Sequence, residues 1–246
     1  MIKIDSINNS KINSLVKLQN KKERYINKEF LVEGYHLVEE AKKHNLLKMI
    51  VTTDESDFKK YNVDGYLVNE KIITKLSTTV NAQNILGIVK MPHNQFSIDK
   101  YKKIIILDNI NDPGNLGTII RTAAALGMDA VIVSEDTVDM FNEKVIRATQ
   151  GSIFKIPVIK TNILDVIKKY LENNIDVFAT SLQTDKYITD MNASTTFALV
   201  FGNEANGIRN EVMDLCNKKF KIQMHNNVES LNVAIAAAIV MYHFNK

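Results

Sequence analysis

From Lys103 onward the chain repeats one arrangement: a short apolar run bounded by polar residues, then a segment whose apolar residues recur at helical spacing. The runs are Lys103–Leu107, Ala130–Ser134, Ile156–Ile159, Ile175–Thr180, Phe197–Phe201 and Phe220–Met224. Helical patterns separate most of them, at Thr118–Leu126, Asn142–Gln150, Ile163–Leu171, Ile208–Cys216 and Leu231–Phe244. A run that is apolar without alternation has both faces covered, as in a parallel sheet flanked by helices. Strand and helix in turn therefore predict an α/β domain with a mostly parallel sheet. In such a sheet a ligand crevice opens at the carboxyl ends of the strands.

The preceding residues alternate on a smaller scale. Phe30–Glu33, Leu47–Thr52, Tyr66–Val68 and Ile85–Lys90 read as extended, with Tyr35–His44 and Glu70–Leu76 helical between them. Pro92 and the polar residues around it stop the pattern. The expected organisation is a small α/β domain over residues 1–95, a linker at 96–102 and the larger domain at 103–246. Ahead of the first extended run, Ser10–Lys28 places Ile12, Leu15 and Val16 at helical spacing, which predicts one amphipathic helix capped by Ser10. Its polar side sets Lys11, Lys17, Lys21, Lys22, Arg24 and Lys28 against Glu23 alone, with Tyr25 interleaved. Such a face is either simply solvated or a contact for nucleic-acid phosphates, since basic clusters release counterions from a phosphate backbone. Charge is distributed accordingly: the net +3 lies in residues 1–99, where 15 Lys and Arg face 12 Asp and Glu. If the face binds nucleic acid, Lys17, Lys21, Lys22 and Arg24 are the RNA contacts expected.

Several chemistries drop out. One cysteine, Cys216, forms no internal disulfide and suits a reducing, cytoplasmic setting. Residues 1–10 carry no apolar core of a signal peptide, and the longest apolar stretch, Val233–Tyr242, is about half of what a bilayer needs, so no membrane contact is expected. The histidines, His36, His44, His93, His225 and His243, are scattered without ligand spacing, and no metal is expected.

Three polar, glycine-bearing segments sit at predicted strand ends. Asp108–Gly117 carries the turn signal Asp112-Pro113-Gly114, then Asn115 and, inside the apolar helical run, Arg121; Gly127 closes that helix. A loop that only reversed the chain would need neither the amide nor the guanidinium. Helix N-termini bind anions and arginine adds a forked phosphate donor, so this segment suits a phosphate-bearing substrate. Phe201–Arg209 follows an apolar run, with Gly202 permitting close backbone approach and Glu204 aimed at the crevice. It is not a phosphate loop, because Ile208-Arg209 stands where Lys-Ser/Thr would be needed, and no GxGxxG follows any predicted strand. Lys221–Val233 leads into an alanine-rich helix, with Ser230 as a candidate N-cap and Asn232 a costly amide unless paired.

In this order, NDPGNLGTIIRTA, FGNEANGI and IQMHNNVESLNVAIAAA closely resemble the three motifs of the SpoU-TrmH family of RNA 2′-O-methyltransferases in the SPOUT superfamily. Residues 1–95 look like the L30e-like RNA substrate-binding domain that often precedes this catalytic domain. The resemblance implies an α/β trefoil-knot fold, S-adenosyl-L-methionine as cofactor, and a homodimer in which both subunits complete each site. It places Gly202, Ile222 and Leu231 at the cofactor, with Thr180 and Met224 as further contacts, and assigns catalysis to Asn115, Arg121, Glu204, Ser230 and Asn232. Arg121 is the family's proposed base; since arginine stays protonated in proteins, the reading here is a clamp on the RNA phosphate that steadies the developing alkoxide. The favoured substrate is 23S rRNA, with tRNA the alternative within the family. A binding-only ribosome-assembly protein would have no need of all five catalytic positions. An unrelated nucleotide-binding α/β enzyme has no motif to support it.

Overall fold

A computed structural model describes residues 1–192, 195–225 and 230–245. The chain divides into two compact units, residues 1–93 with 141–155, and residues 94–140 with 156–246.

In the first unit, strands β1 (Ile2–Ile4), β2 (Glu29–Glu33), β3 (Leu47–Thr52), β4 (Asp64–Val68) and β5 (Ile85–Lys90) form a sheet ordered β1-β4-β3-β5-β2. β1, β4 and β3 run parallel, while β5 pairs antiparallel with β3 and β2. Helices α1 (Ser10–Lys17), α2 (Lys21–Asn27), α3 (Tyr35–Lys43), α4 (Ser56–Tyr61) and α5 (Glu70–Leu76) connect them. Ile12, Leu15, Leu18, Val51, Ile72 and Leu86 share one buried cluster.

The expected single helix over Ser10–Lys28 is two. Asn9, not Ser10, caps α1, and Asn20 starts α2 by accepting the Lys22 N–H at 2.8 Å. Arg24 explains the break. It is buried at 4% exposure and donates to the carbonyls of Leu18 at 3.0 Å and Gln19 at 2.8 Å, tying off the end of α1. The assignment of Arg24 as an RNA contact is therefore corrected, whereas Lys17, Lys21 and Lys22 are exposed.

Residues 141–155, expected within the larger domain, pack in the first unit. They comprise α7 (Glu143–Thr149) and a single 3-10 turn at Ser152–Phe154. Phe30, fully buried on β2, has its ring centroid 4.9 Å from that of Phe141 and 6.3 Å from that of Phe154. Glu40 of α3 accepts from Lys155 at 2.7 Å and from Lys43 at 3.0 Å.

The second unit contains β6 (Lys103–Leu107), α6 (Pro113–Ala125), β7 (Ala130–Val133), β8 (Val158–Lys160), α8 (Ile163–Glu172), β9 (Asp176–Thr180), β10 (Phe197–Phe201), α9 (Asn210–Leu215), β11 (Lys218–Phe220) and α10 (Val233–Phe244). Its sheet is ordered β11-β9-β10-β6-β7-β8 and every recorded pairing is parallel. β6, β7, β9 and β10 are apolar and buried because helices cover both faces, as the unbroken runs required. β10 slots between β6 and β9, so the strands ending at Leu107, Thr180 and Phe201 lie side by side with their carboxyl ends together. The last strand ends at Phe220 rather than Met224, which leaves Ile222 and Met224 in an irregular segment. Among the described residues no helix is long and apolar enough to cross a membrane.

Candidate active site

α6 begins where Asp112 accepts the Asn115 N–H at 2.7 Å, with Pro113 at the first helical position. This cap turns the Asn115 side chain toward the loop after β10. Its Nδ2 donates to Glu204 Oε1 at 2.8 Å, and its Oδ1 accepts from Asn232 Nδ2 at 2.9 Å. Asn232 is itself the N-cap of α10, accepting from the N–H groups of Ala234 at 2.9 Å and Ile235 at 3.3 Å. Ser230, expected as the cap, stands two residues upstream and is exposed, since the α10 backbone donors are already taken by Asn232.

Donors thus run in one direction, from the amino end of α10 through Asn232 and Asn115 to the Glu204 carboxylate. A hydrogen bond that ends on a charged acceptor is shorter and stronger than a neutral one, and a chain of them fixes each amide's orientation. Both polar atoms of the Asn115 and Asn232 side-chain amides are engaged. Glu204 Oε2 keeps no partner among the described residues and can accept a further donor.

Beside this chain lies a cavity of about 650 Å³ at the carboxyl ends of β9 and β10, within the range of small-molecule sites. Thr180, Gly202, Ile222, Met224 and Leu231, the five expected cofactor contacts, all line it, together with Glu204, Ser230 and Asn232. Among the described lining residues the charged side chains are Glu204 and Lys221. Gly202, besides lining the cavity, is required by the loop itself. A Cβ there would fall 2.2 Å from the Gly207 carbonyl carbon and the Ile208 nitrogen, so the missing side chain lets the loop return against its own root.

Arg121 is not brought to this cavity. It is exposed on α6, with no hydrogen bond or ion pair to a described residue. Residues 226–229 of the third segment, Asn226 to Glu229, lie outside the described residues. Sequence reasoning missed Asp108, Asn203 and Arg209. Asp108, at the end of β6, is fully buried and takes Arg209 on both oxygens, Nε on Oδ1 and the backbone N–H on Oδ2. The signal was an acid directly after an apolar run: a carboxylate buried there must be paired. That carboxylate raises the pKa of Arg209 above its usual value.

A parallel sheet whose carboxyl ends meet a cavity, with three loops joined by one amide chain, defines a ligand-binding α/β enzyme domain. Residues 102–242 match the SpoU rRNA Methylase family and residues 9–87 match the MRM3-like substrate binding domain. The chain is 37% identical over 248 residues to the 23S rRNA (guanosine(2553)-2′-O)-methyltransferase RlmP of Bacillus subtilis, covering 99% of each chain. It superposes on an AdoMet-bound rRNA methyltransferase from Sinorhizobium meliloti with a TM-score of 0.89 at 30% identity, covering 98% of this chain and 96% of that one. A solved RNA 2′-O ribose methyltransferase gives a TM-score of 0.84 at 25% identity, with 98% and 97% covered. The chain therefore belongs to the SpoU rRNA methylase family and is a methyltransferase with the SPOUT fold that its three motifs implied.

Proposed function

We propose that the protein transfers a methyl group from S-adenosyl-L-methionine to a ribose 2′-hydroxyl of 23S rRNA, and that the modified nucleotide is the guanosine equivalent to position 2553. The observation that carries this reading is the Asn232–Asn115–Glu204 chain at the mouth of the cavity, in a protein alignable from end to end with RlmP. The cavity fits the cofactor in size and chemistry. Apolar side chains such as Ile222 and Leu231 suit a purine, and the basic Lys221 suits a molecule carrying a carboxylate. When bound, the cofactor supplies an electrophilic sulfonium methyl.

The chain's own groups prepare the nucleophile. A 2′-hydroxyl is a very weak acid, so the site must align it and stabilise the charge it develops. Glu204 Oε2 is the acceptor left for a substrate hydroxyl, and the amides of Asn115 and Asn232 hold that carboxylate in place. Ser230, exposed at the rim, adds a hydroxyl for positioning. Arg121 binds the phosphate beside the target ribose, and it does so from a second subunit.

A homodimer also accounts for α10. This helix is apolar on every side, and such helices are buried on every side. Within one chain only Ala234, Ala237, Val240, Met241 and Phe244 are covered, while Ile235, Ile239 and Tyr242 are 52%, 41% and 67% exposed. Those three recur at intervals of four and three residues, a stripe that a second copy would cover. Lys17, Lys21 and Lys22 form the RNA grip on the first unit.

The test is to map 2′-O-methylation along 23S rRNA in cells lacking the protein. Loss at that one guanosine, restored by the wild-type gene and not by Asn115→Ala, supports the assignment; unchanged methylation there overturns it.

A further inference from the structure

The loop that carries Glu204 has no regular structure, yet both its ends are fastened to the exit of β6. Asn203, at 9% exposure, donates from Nδ2 to the Asn109 carbonyl at 2.8 Å. Its Oδ1 accepts from the Ala205 and Asn206 N–H groups at 2.9 and 3.1 Å, so one amide folds the loop and ties it down. Asn203 and Gly207 exchange backbone hydrogen bonds at 2.9 and 3.0 Å, closing the loop at its neck. At the other end, Arg209 sets Nε and Nη2 on Asp108 Oδ1, both at 2.8 Å, and its backbone N–H on Oδ2 at 2.9 Å. Asp108 is wholly buried, whereas the other acids near this guanidinium, Asp136 at 3.8 Å and Glu211 at 3.3 Å, are exposed.

Resting on the cofactor reading above, we propose that the Asp108–Arg209 ion pair, with Asn203, is a positioning device that holds the 202–208 loop in the shape that binds S-adenosyl-L-methionine and presents Glu204 to Asn115. None of the three is a catalytic residue. A forked guanidinium on a buried carboxylate fixes direction as well as distance, which a lysine does not. The loop would otherwise have its closed neck and the single Asn115–Glu204 hydrogen bond to define it, leaving the backbone between Gly202 and Ile208 far less constrained at the cavity.

Calorimetric titration of S-adenosyl-L-methionine into the full-length protein tests this, with thermal unfolding followed in parallel. Arg209→Ala should weaken binding about tenfold or more, the scale of one charge-assisted hydrogen bond, and Arg209→Lys by less. KM for the cofactor should rise with them while KM for RNA stays put. Asp136→Asn and Glu211→Gln should bind within about twofold of the wild type, because they leave the buried carboxylate in place. If Arg209→Ala does not fold, Arg209→Lys alone decides. Wild-type affinity in a folded Arg209 variant overturns the proposal and leaves the cofactor reading intact. Absence of binding by the wild type overturns both.

Discussion

Glu40 makes a sharp test of why residues 141–155 belong to the first unit. Its carboxylate, 8% exposed, accepts from Lys155 at 2.7 Å and from Lys43 at 3.0 Å, and its stem packs against the Gly151 turn. Those two ammonium groups hold the carboxyl well below its usual 4.5, at about 2, against the opposing effect of burial. At about 1.36 kcal/mol per pKa unit the ceiling on this contribution is roughly 3 kcal/mol. Lys155 and Lys43 are about half exposed, at 48% and 57%, so solvent screening brings it to about 2 kcal/mol. Because the folded pKa is depressed, the stabilisation is complete above pH 4.5 and is lost as pH falls toward 2. Urea unfolding of wild type and Glu40→Gln, followed by circular dichroism, should differ by about 2 kcal/mol at neutral pH, by about half of that near pH 3 and by only a few tenths of a kcal/mol near pH 2. Equal stabilities at neutral pH, or a gap that survives unchanged to pH 3, would refute the reasoning.

Further expectations concern the site. Asn115→Asp sets a second carboxylate against Glu204, where 2.8 Å now separates donor and acceptor, and should cut methyl transfer about a hundredfold or more, read as initial rate; near-normal rates would remove the amide chain from the mechanism. Arg121→Ala should abolish activity with an unchanged melting temperature, since Arg121 holds no described residue; Arg121→Lys outpacing the wild type at high pH would make this residue a base rather than a phosphate clamp. Ile239→Glu should convert a dimer to monomers in sedimentation velocity and stop catalysis, and a wild-type monomer of full activity would contradict the two-subunit site. A fragment of residues 1–95 should fail to unfold cooperatively, because Phe30 loses both Phe141 and Phe154.

The larger unit was the more legible from sequence because its signal is local. Five of its six strands fall on or within two residues of apolar runs such as Phe197–Phe201, since a strand covered on both faces admits little else. The expected cofactor positions were legible for a different reason: four of the five, Gly202, Ile222, Met224 and Leu231, lie in short motifs whose order could be matched, Thr180 stands at a strand end, and the structure gathers all five around one cavity. What the sequence concealed was long-range or cap-dependent. Nothing near Phe141 announces that its partner is Phe30, over a hundred positions earlier. Arg24 read as one more cation on a basic face, and only the tertiary break between α1 and α2 shows it serving two backbone carbonyls. β1 and α4 were missed because each is a single short element with little periodicity to detect. Ser230 read as the cap of α10 and Asn232 as an amide in need of a partner; that Asn232 is itself the cap required the α10 geometry. Arg121 was picked out by its chemistry, yet one chain does not carry it to the cavity.

The central claim is ribose methylation, and one assay addresses it directly: incubation with S-adenosyl-L-methionine labelled at the methyl group and separated 23S rRNA, 16S rRNA and tRNA from cells lacking the protein, followed by alkaline hydrolysis. Alkali cleaves RNA through the free 2′-hydroxyl, so a methylated ribose survives in a resistant dinucleotide. The account predicts label in 23S rRNA, recovered in alkali-resistant dinucleotides and absent with Asn115→Asp. Label released as mononucleotides would mean base methylation, and label confined to tRNA would mean another substrate; either would contradict it.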